Sequence, residues 1–214
     1  SLTWFDASAP DAPRLVAAHD LPDPPAAVDV DGDTAVVVFG RRPSGRLRVL
    51  SLEAAPGIRV RSELALTGTP VDTALEGRKA FVLETSAFRV VDLGDGTQPR
   101  IVGSSTSLEW HATPPANRLA LAGSLAYVAV GQWMDARGDD VVLGGGVEII
   151  DLASPERPKA VGHFLHQPAG AVGGPADVAA GAGVVVAVEP ASGLEVLDVA
   201  DPRDPIEIGG FETA

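Results

Sequence analysis

Five segments of one type recur along the chain, and in each the apolar and polar positions alternate at the start. They are Leu2-Thr-Trp-Phe-Asp6, Leu47-Arg-Val-Leu-Ser51, Phe88-Arg-Val-Val-Asp92, Val147-Glu-Ile-Ile-Asp151 and Leu194-Glu-Val-Leu-Asp198. A period of two marks a half-buried strand. Seven residues after the closing position stands Pro13, Pro99, Pro158 or Pro205, and Pro10, Pro155 and Pro202 stand at plus four. A second short apolar run follows, as in Arg14-Leu-Val, Arg100-Ile-Val, Lys159-Ala-Val and Ile206-Glu-Ile. Each unit therefore predicts two strands joined by a proline-stiffened turn, with Asp6, Asp92, Asp151 and Asp198 accepting backbone N–H bonds across it.

Between these units lies a second recurring pair. Its turns are Asp31-Gly32, Glu76-Gly77, Ala122-Gly123 and Ala180-Gly181, each flanked by apolar-rich runs and preceded by Pro25, Pro70, Pro115 or Pro175. Glycine supplies positive φ there without a Cβ clash, so each pair predicts a β-hairpin. The Asp position, with Ser51 in the second copy, recurs at intervals of 45, 41, 59 and 47 residues. Each period holds four short strands and no helical periodicity. The pattern predicts an all-β fold, a β-propeller with blades of four antiparallel strands, a to d from the axis outward. The c–d units fall near 2–18, 47–63, 88–103, 147–162 and 194–211, and the a–b hairpins near 26–39, 71–84, 116–130 and 176–189. Four blades are then complete and the first has c–d strands only. Its completion calls for another polypeptide segment, unless the chain is an open arc or fragment of a larger propeller.

The units Val147–Gly162 and Leu194–Gly209 resemble the LVIVD repeat, and Ala126-Tyr-Val-Ala129 resembles the strand before such a unit. The resemblance touches all five c–d units. It is strong in the first, fourth and fifth, fair in the third, and poor in the second, where Ser51 replaces Asp. It implies a β-propeller that is exported or displayed on a bacterial or archaeal surface, in the periplasm or outside the cell. It implies no catalytic signature. The Trp-Asp dipeptide of WD40 repeats is absent.

Composition narrows the partners. The net charge of −13 repels phosphate backbones, which argues against nucleic acid. Residues 41–79 run against this trend, with eight basic and four acidic residues, a solvated face or a docking patch for an acidic partner. No run approaches eighteen apolar residues, so no membrane-spanning helix is predicted. Cysteine is absent, which excludes disulfides, thiolate zinc sites and thiol catalysis. Ser1-Leu2-Thr3-Trp4 reads as a strand rather than a signal peptide.

Candidate chemistry gathers between the strands. Asp29-Val-Asp-Gly-Asp33 is like the start of a calcium loop, but Gly32 falls one place early and Gly40 stands where the bidentate Glu belongs, so it reads as a hairpin turn. The four histidines, His19, His111, His163 and His166, lie between a strand d and the next strand a. In a propeller the d–a and b–c loops share one face. The longest irregular stretches, Ser104–Pro114, His163–Gly174 and the b–c insertion Gly131–Gly146, belong to it, and long loops on a rigid scaffold are where binding concentrates. The candidate ligand- or partner-binding residues are Glu109, Trp110, His111, Trp133, Asp135, His163 and His166. His163 and His166 could chelate a metal only if locally helical, because a strand would separate them. No metal, cofactor or catalytic residue is predicted. No Gly-x-Ser-x-Gly elbow, Walker loop or dinucleotide loop is present. The expected function is a non-catalytic binding scaffold for a protein or small molecule. The alternative is an enzyme, or a metal- or small-ligand-binding propeller, using His111, His163 or His166 on the same face.

Overall fold

A computed structural model describes the chain except residues 41–44, 54–56, 86, 106–115, 138–139, 167–173, 191–192 and 213–214. For 116–117, 131–137, 140–144 and 166 it describes the backbone alone. Among the described residues there is no helix. The first sheet has two strands, β1 (Leu2–Asp6) and β2 (Arg14–His19). The second holds β3 (Pro25–Asp31), β4 (Thr34–Phe39), β5 (Arg46–Glu53) and β6 (Gly57–Ala65). The third holds β7 (Pro70–Glu76), β8 (Lys79–Glu84), β9 (Ala87–Asp92) and β10 (Arg100–Ser105). The fourth holds β11 (Ala116–Ala122), β12 (Leu125–Arg137), β13 (Asp140–Asp151) and β14 (Lys159–His166). The fifth holds β15 (Asp177–Gly181), β16 (Val184–Glu189), β17 (Gly193–Asp198) and β18 (Ile206–Glu212). Every sheet is an antiparallel meander, so the expected hairpins and Asp-to-Pro units fall on real strand pairs.

Strand β7 packs beside β3 and β11, and β11 beside β15, so the sheets converge at their first strands like blades. Apolar layers fill the gaps. Ala35, Val37 and Phe39 face the first sheet, while Val36 and Val38 face the third. This is why β4 reads as an unbroken apolar run rather than an alternating one: both of its faces are covered. Phe81, Phe88 and Val128 fill the third seam, and Tyr127, Ile149 and Leu197 the fourth. The outermost faces differ. Phe5 and Leu15 on the first sheet are 52% and 59% exposed, and Phe211 on the fifth is 67% exposed.

Two further contacts lock neighbouring sheets. Each first strand has an edge with no strand on it, and unpaired edges need partners. Carboxylates of the preceding sheet supply them. The Leu75 N–H donates to Asp29 Oδ2 at 2.7 Å, Gly77 N–H to Asp31 Oδ2 at 2.7 Å, and Leu119 N–H to Asp72 Oδ2 at 2.8 Å. On the outer side the fourth strand touches the next sheet's turn. The Ser62 hydroxyl donates to the Gly96 carbonyl at 2.6 Å. At the matching positions of β10 and β14, Gly103 and Gly162 lie so close to the Pro155 and Pro202 carbonyls that a Cβ would sit 2.0 and 1.9 Å from the oxygen. Gly209 holds this position in the fifth sheet, and nothing lies within 4 Å of where its Cβ would be.

The repeated aspartates brace their turns. Asp6, Asp92, Asp151 and Asp198 each accept the N–H two residues on, from Ser8, Gly94, Ala153 and Ala200, at 2.8–3.0 Å. Arg14 and Arg100, opposite Asp6 and Asp92 across the strand pair, add ion pairs at 3.0 and 3.2 Å. The Ser8 backbone N–H and hydroxyl, with the Arg14 guanidinium, pull the Asp6 carboxyl down to about 2.

Three expectations need correction. The fourth inner turn is not made by Gly181. Gly181 pairs with Val184, and the left-handed residues are Ala182 (φ 51°) and Gly183 (φ 78°). The insertion at 131–146 is not an irregular loop. β12 and β13 continue through it, with Trp133 opposite Gly144 and Asp135 opposite Val142, because Val141-Val142-Leu143 extends the strand-forming pattern. The described histidines are strand residues: His19 ends β2, and His163 and His166 belong to β14. β14 is extended over both positions, so the helical spacing that chelation requires is absent.

Candidate functional site

One end of the sheets carries a repeated trio of positions. Arg48, Arg89, Glu148 and Glu195 are the second residues of the alternating segments, and they stand opposite Val37, Val82, Val128 and Ala187. Two residues further along the second strand come Phe39, Glu84, Val130 and Glu189. Across on the fourth strand, opposite each of the first group, stand Glu63, Ser104, His163 and Gly210. Register pairing puts each trio on one face of its sheet, at the end where the second strand turns into the third.

The trios differ in chemistry. In the second sheet the Arg48 guanidinium lies 5.0 Å over the Phe39 ring and donates to Glu63 Oε2 from Nη2 at 2.7 Å and from Nε at 3.0 Å. Its Nη1 is 3.3 Å from His19 Nε2 at the end of the first sheet. Burial pushes Glu63 up, but hydrogen bonds from Arg48 and Arg46 outweigh it and hold the carboxyl below its ordinary value. In the third sheet Glu84 is 1% exposed. Arg89 Nε donates to its Oε2 at 3.1 Å, and the Gly68 N–H to its Oε1 at 3.2 Å. The same guanidinium reaches the Thr67 and Ser104 hydroxyls. The fourth sheet sets buried Glu148 opposite exposed His163. The fifth sets Glu189 with Glu195, 4% and 6% exposed, and a bare Gly210. Among the described residues Glu189 Oε1 has no hydrogen-bond partner, and burial lifts this carboxyl to about 7.

The first strands enclose a second feature, a cavity of about 400 Å³ lined by Val28, Asp29, Asp72, Thr73, Glu76 and Leu119 among others. Its aspartates are already used by backbone donors. Burial pushes Asp72 above the usual carboxylate range, and the Leu119 and Thr73 N–H groups offset this only in part. These are bracing groups rather than a receptor.

The sequence-derived site residues are only partly brought together. His163 joins the Glu148 trio. Trp133 and Asp135 have backbone positions on the extended β12–β13 hairpin, beyond Val130 at the same end, and His166 ends β14. Glu109, Trp110 and His111 lie outside the described residues. Among the described residues, no three His, Asp or Glu side chains cluster to hold a metal. Sequence reasoning missed Glu84, Glu189 and Glu195. For Glu195 the available signal was the second position of the alternating segments, which is charged in Arg48, Arg89, Glu148 and Glu195 where the fold leaves the side chain buried or half-buried.

No family model matches the chain, and no curated protein matches it. Solved structures do. A chain in the crystal structure of a Nidogen/Laminin complex has 17% identity and a TM-score of 0.56, covering 94% of this chain and 68% of that one. The computationally designed Ika4 protein has 10% identity and a TM-score of 0.55, covering 84% and 94%. The designed Ika8 protein has 10% identity and a TM-score of 0.58, covering 89% of this chain and 50% of that one. At these identities the likeness concerns the fold alone.

Proposed function

We propose that the chain is a β-propeller, or a large part of one, serving as a non-catalytic binding scaffold that works through the end carrying the trios. The observation that supports this is the contrast between the two ends. At the turn end four sheets repeat one bracing aspartate, whereas at the other end the trio positions, buried or half-buried on the second and third strands and exposed on the fourth, carry a different charge set in each sheet. Burying ionisable groups costs stability unless they are paired, so structural need alone does not call for such variety. Thermal-shift screening against peptide and metabolite libraries, followed by amide exchange on each hit, tests the reading. Protection should fall near Phe39, Glu84, Val130 and Glu189. Protection confined to the turns after Asp6, Asp92, Asp151 and Asp198 would move the working face to the opposite end.

A segment outside the five sheets completes the propeller in this reading. Three features of the fifth sheet support it. Gly209 sits where Gly103 and Gly162 receive a proline carbonyl. Asp177 binds its own following N–H, from Val178, as Asp29 and Asp72 do, but among the described residues it reaches no next first strand, whereas Asp29 and Asp72 do. Leu194 and Phe211 share an exposed face. Sedimentation and crosslinking with longer forms of the protein should place new polypeptide against Gly209. A longer form that leaves Gly209 open would refute this.

A further inference from the structure

We infer that Arg61 and Arg78 bind a carboxylate in a cavity between the second and third sheets, at the turn end of the molecule. This site lies away from the trios and does not depend on the role proposed for them. The stretch 41–79 carries eight basic and four acidic residues, and the fold pairs off only part of this excess. Arg46 and Arg48 pair with Glu63, Arg59 pairs with Glu53, and Lys79 stands opposite Asp92. Arg41 and Arg42 lie outside the described residues. Arg61 comes no nearer than 4.0 Å to Asp33, whose side chain is 74% exposed. Among the described residues the Arg78 side chain has no hydrogen bond or ion pair. The residues that join β5 to β6 are Ala54, Ala55 and Pro56, which carry no acid.

Both arginines line one cavity of about 300 Å³, together with Thr34, Leu93, Asp95 and Gly96 among others. Its shape follows from the sequence of the third sheet's outer turn. Four residues after the bracing Asp, the first, fourth and fifth units carry Pro10, Pro155 and Pro202, but the third carries Gly96. Gly96 is left-handed (φ 86°), and a Cβ there would sit 3.0 Å from Arg61 Cδ and 3.4 Å from its Nη1. The bare glycine therefore lets the Arg61 stem lie across the seam, which brings its guanidinium to the third sheet's turn. Arg78 enters from the β7–β8 turn of the same sheet. The acids around the cavity are bonded to closer donors. Asp92 accepts from the Gly94 N–H and Arg100, Asp95 from the Thr97 N–H and hydroxyl, and Asp31 from the Gly77 N–H. These acids also limit what can enter. Repulsion from Asp33 and Asp95 grows with the charge of the ligand, which favours a single carboxylate over a phosphate dianion. Guanidinium groups offer planar, paired N–H donors, the geometry that a carboxylate accepts best.

Two sources carry such a group, an acidic peptide side chain and a small organic acid, and two probes separate them. N-acetyl-L-glutamate α-amide and butyrate are titrated at constant ionic strength and pH 6 while the arginine Nε–H signals are followed by nitrogen-15 NMR. N-acetyl-L-glutamine amide is the uncharged control, and inorganic phosphate the competing anion. A carboxylate probe should shift the Arg61 and Arg78 signals together and to saturation. Tighter binding of the blocked glutamate assigns a peptide side chain, and equal or tighter binding of butyrate a small acid. Arg78→Gln should weaken binding at least tenfold with the melting temperature unchanged, because that side chain holds no other element in place. Arg59→Gln removes the same charge from a residue outside the cavity and should change binding less than twofold. Asp33→Asn should tighten binding at least threefold by releasing Arg61. Equal shifts with the glutamine control, equal losses in Arg78→Gln and Arg59→Gln, or saturation by phosphate with no response to either carboxylate would overturn the inference.

Discussion

Individual residues already set measurable energies. Ala182 is held at φ 51°, a conformation in which a Cβ is strained and glycine is not. Ala182→Gly should therefore stabilise the chain by about 0.5–1 kcal/mol in urea unfolding. A loss of stability would mean that the Ala182 methyl makes a contact worth more than the strain. Asp151→Ala removes the acceptor for the Ala153 N–H and should cost about 0.5–2 kcal/mol with ligand binding unchanged. Glu189 gives a pH dependence of definite sign. Its folded pKa of about 7 lies above the ordinary glutamate value of 4.5, so the folded state holds its proton more tightly. Stability should then fall as pH rises from about 4.5, with the full cost present above 7, on the order of 3 kcal/mol. Glu189→Gln should flatten this slope in denaturation series between pH 5 and 8. An unaltered slope would show that another group carries the titration.

At the scale of elements, much of the fold was legible because its strands obey local rules. The alternation from Leu194 to Asp198 survives as β17, and the turn glycines Gly32, Gly77 and Gly123 take φ of 57–60°. What misled was spacing near the functional end. The stretch 131–146 looked like a loop because its glycines hide the pairing of Trp133 with Gly144, which only a partner strand defines. The trios were invisible for the same reason. Glu84 and Arg89 are separated by a turn, and nothing in the alternation says that both end in a core. Glycine roles also divide by contact rather than by sequence. Gly162→Ala would press a Cβ into the Pro202 carbonyl and should cost about 1–3 kcal/mol. Gly209→Ala, at the equivalent place, should stay within about 0.5 kcal/mol in this chain. Equal losses for both would show that Gly209 is covered after all.

At the scale of the whole molecule, the links between sheets have a direction. Along the first strands the carboxylate comes from the earlier sheet and the N–H from the later one, as with Asp29 to Leu75 and Asp72 to Leu119. Acid therefore acts on the assembly as on a row of one-way latches. Because burial holds Asp72 above the usual carboxylate range, its latch begins to lose charge before ordinary surface carboxylates are protonated. The molecule should then loosen first between its third and fourth sheets, and the Leu119 N–H should report it by faster hydrogen exchange relative to the intrinsic rate as pH falls. Below that point this seam would rest chiefly on the apolar layer of Phe81, Phe88 and Val128, which resists separation but does not fix direction, so the two sides would be freer to slide than to part.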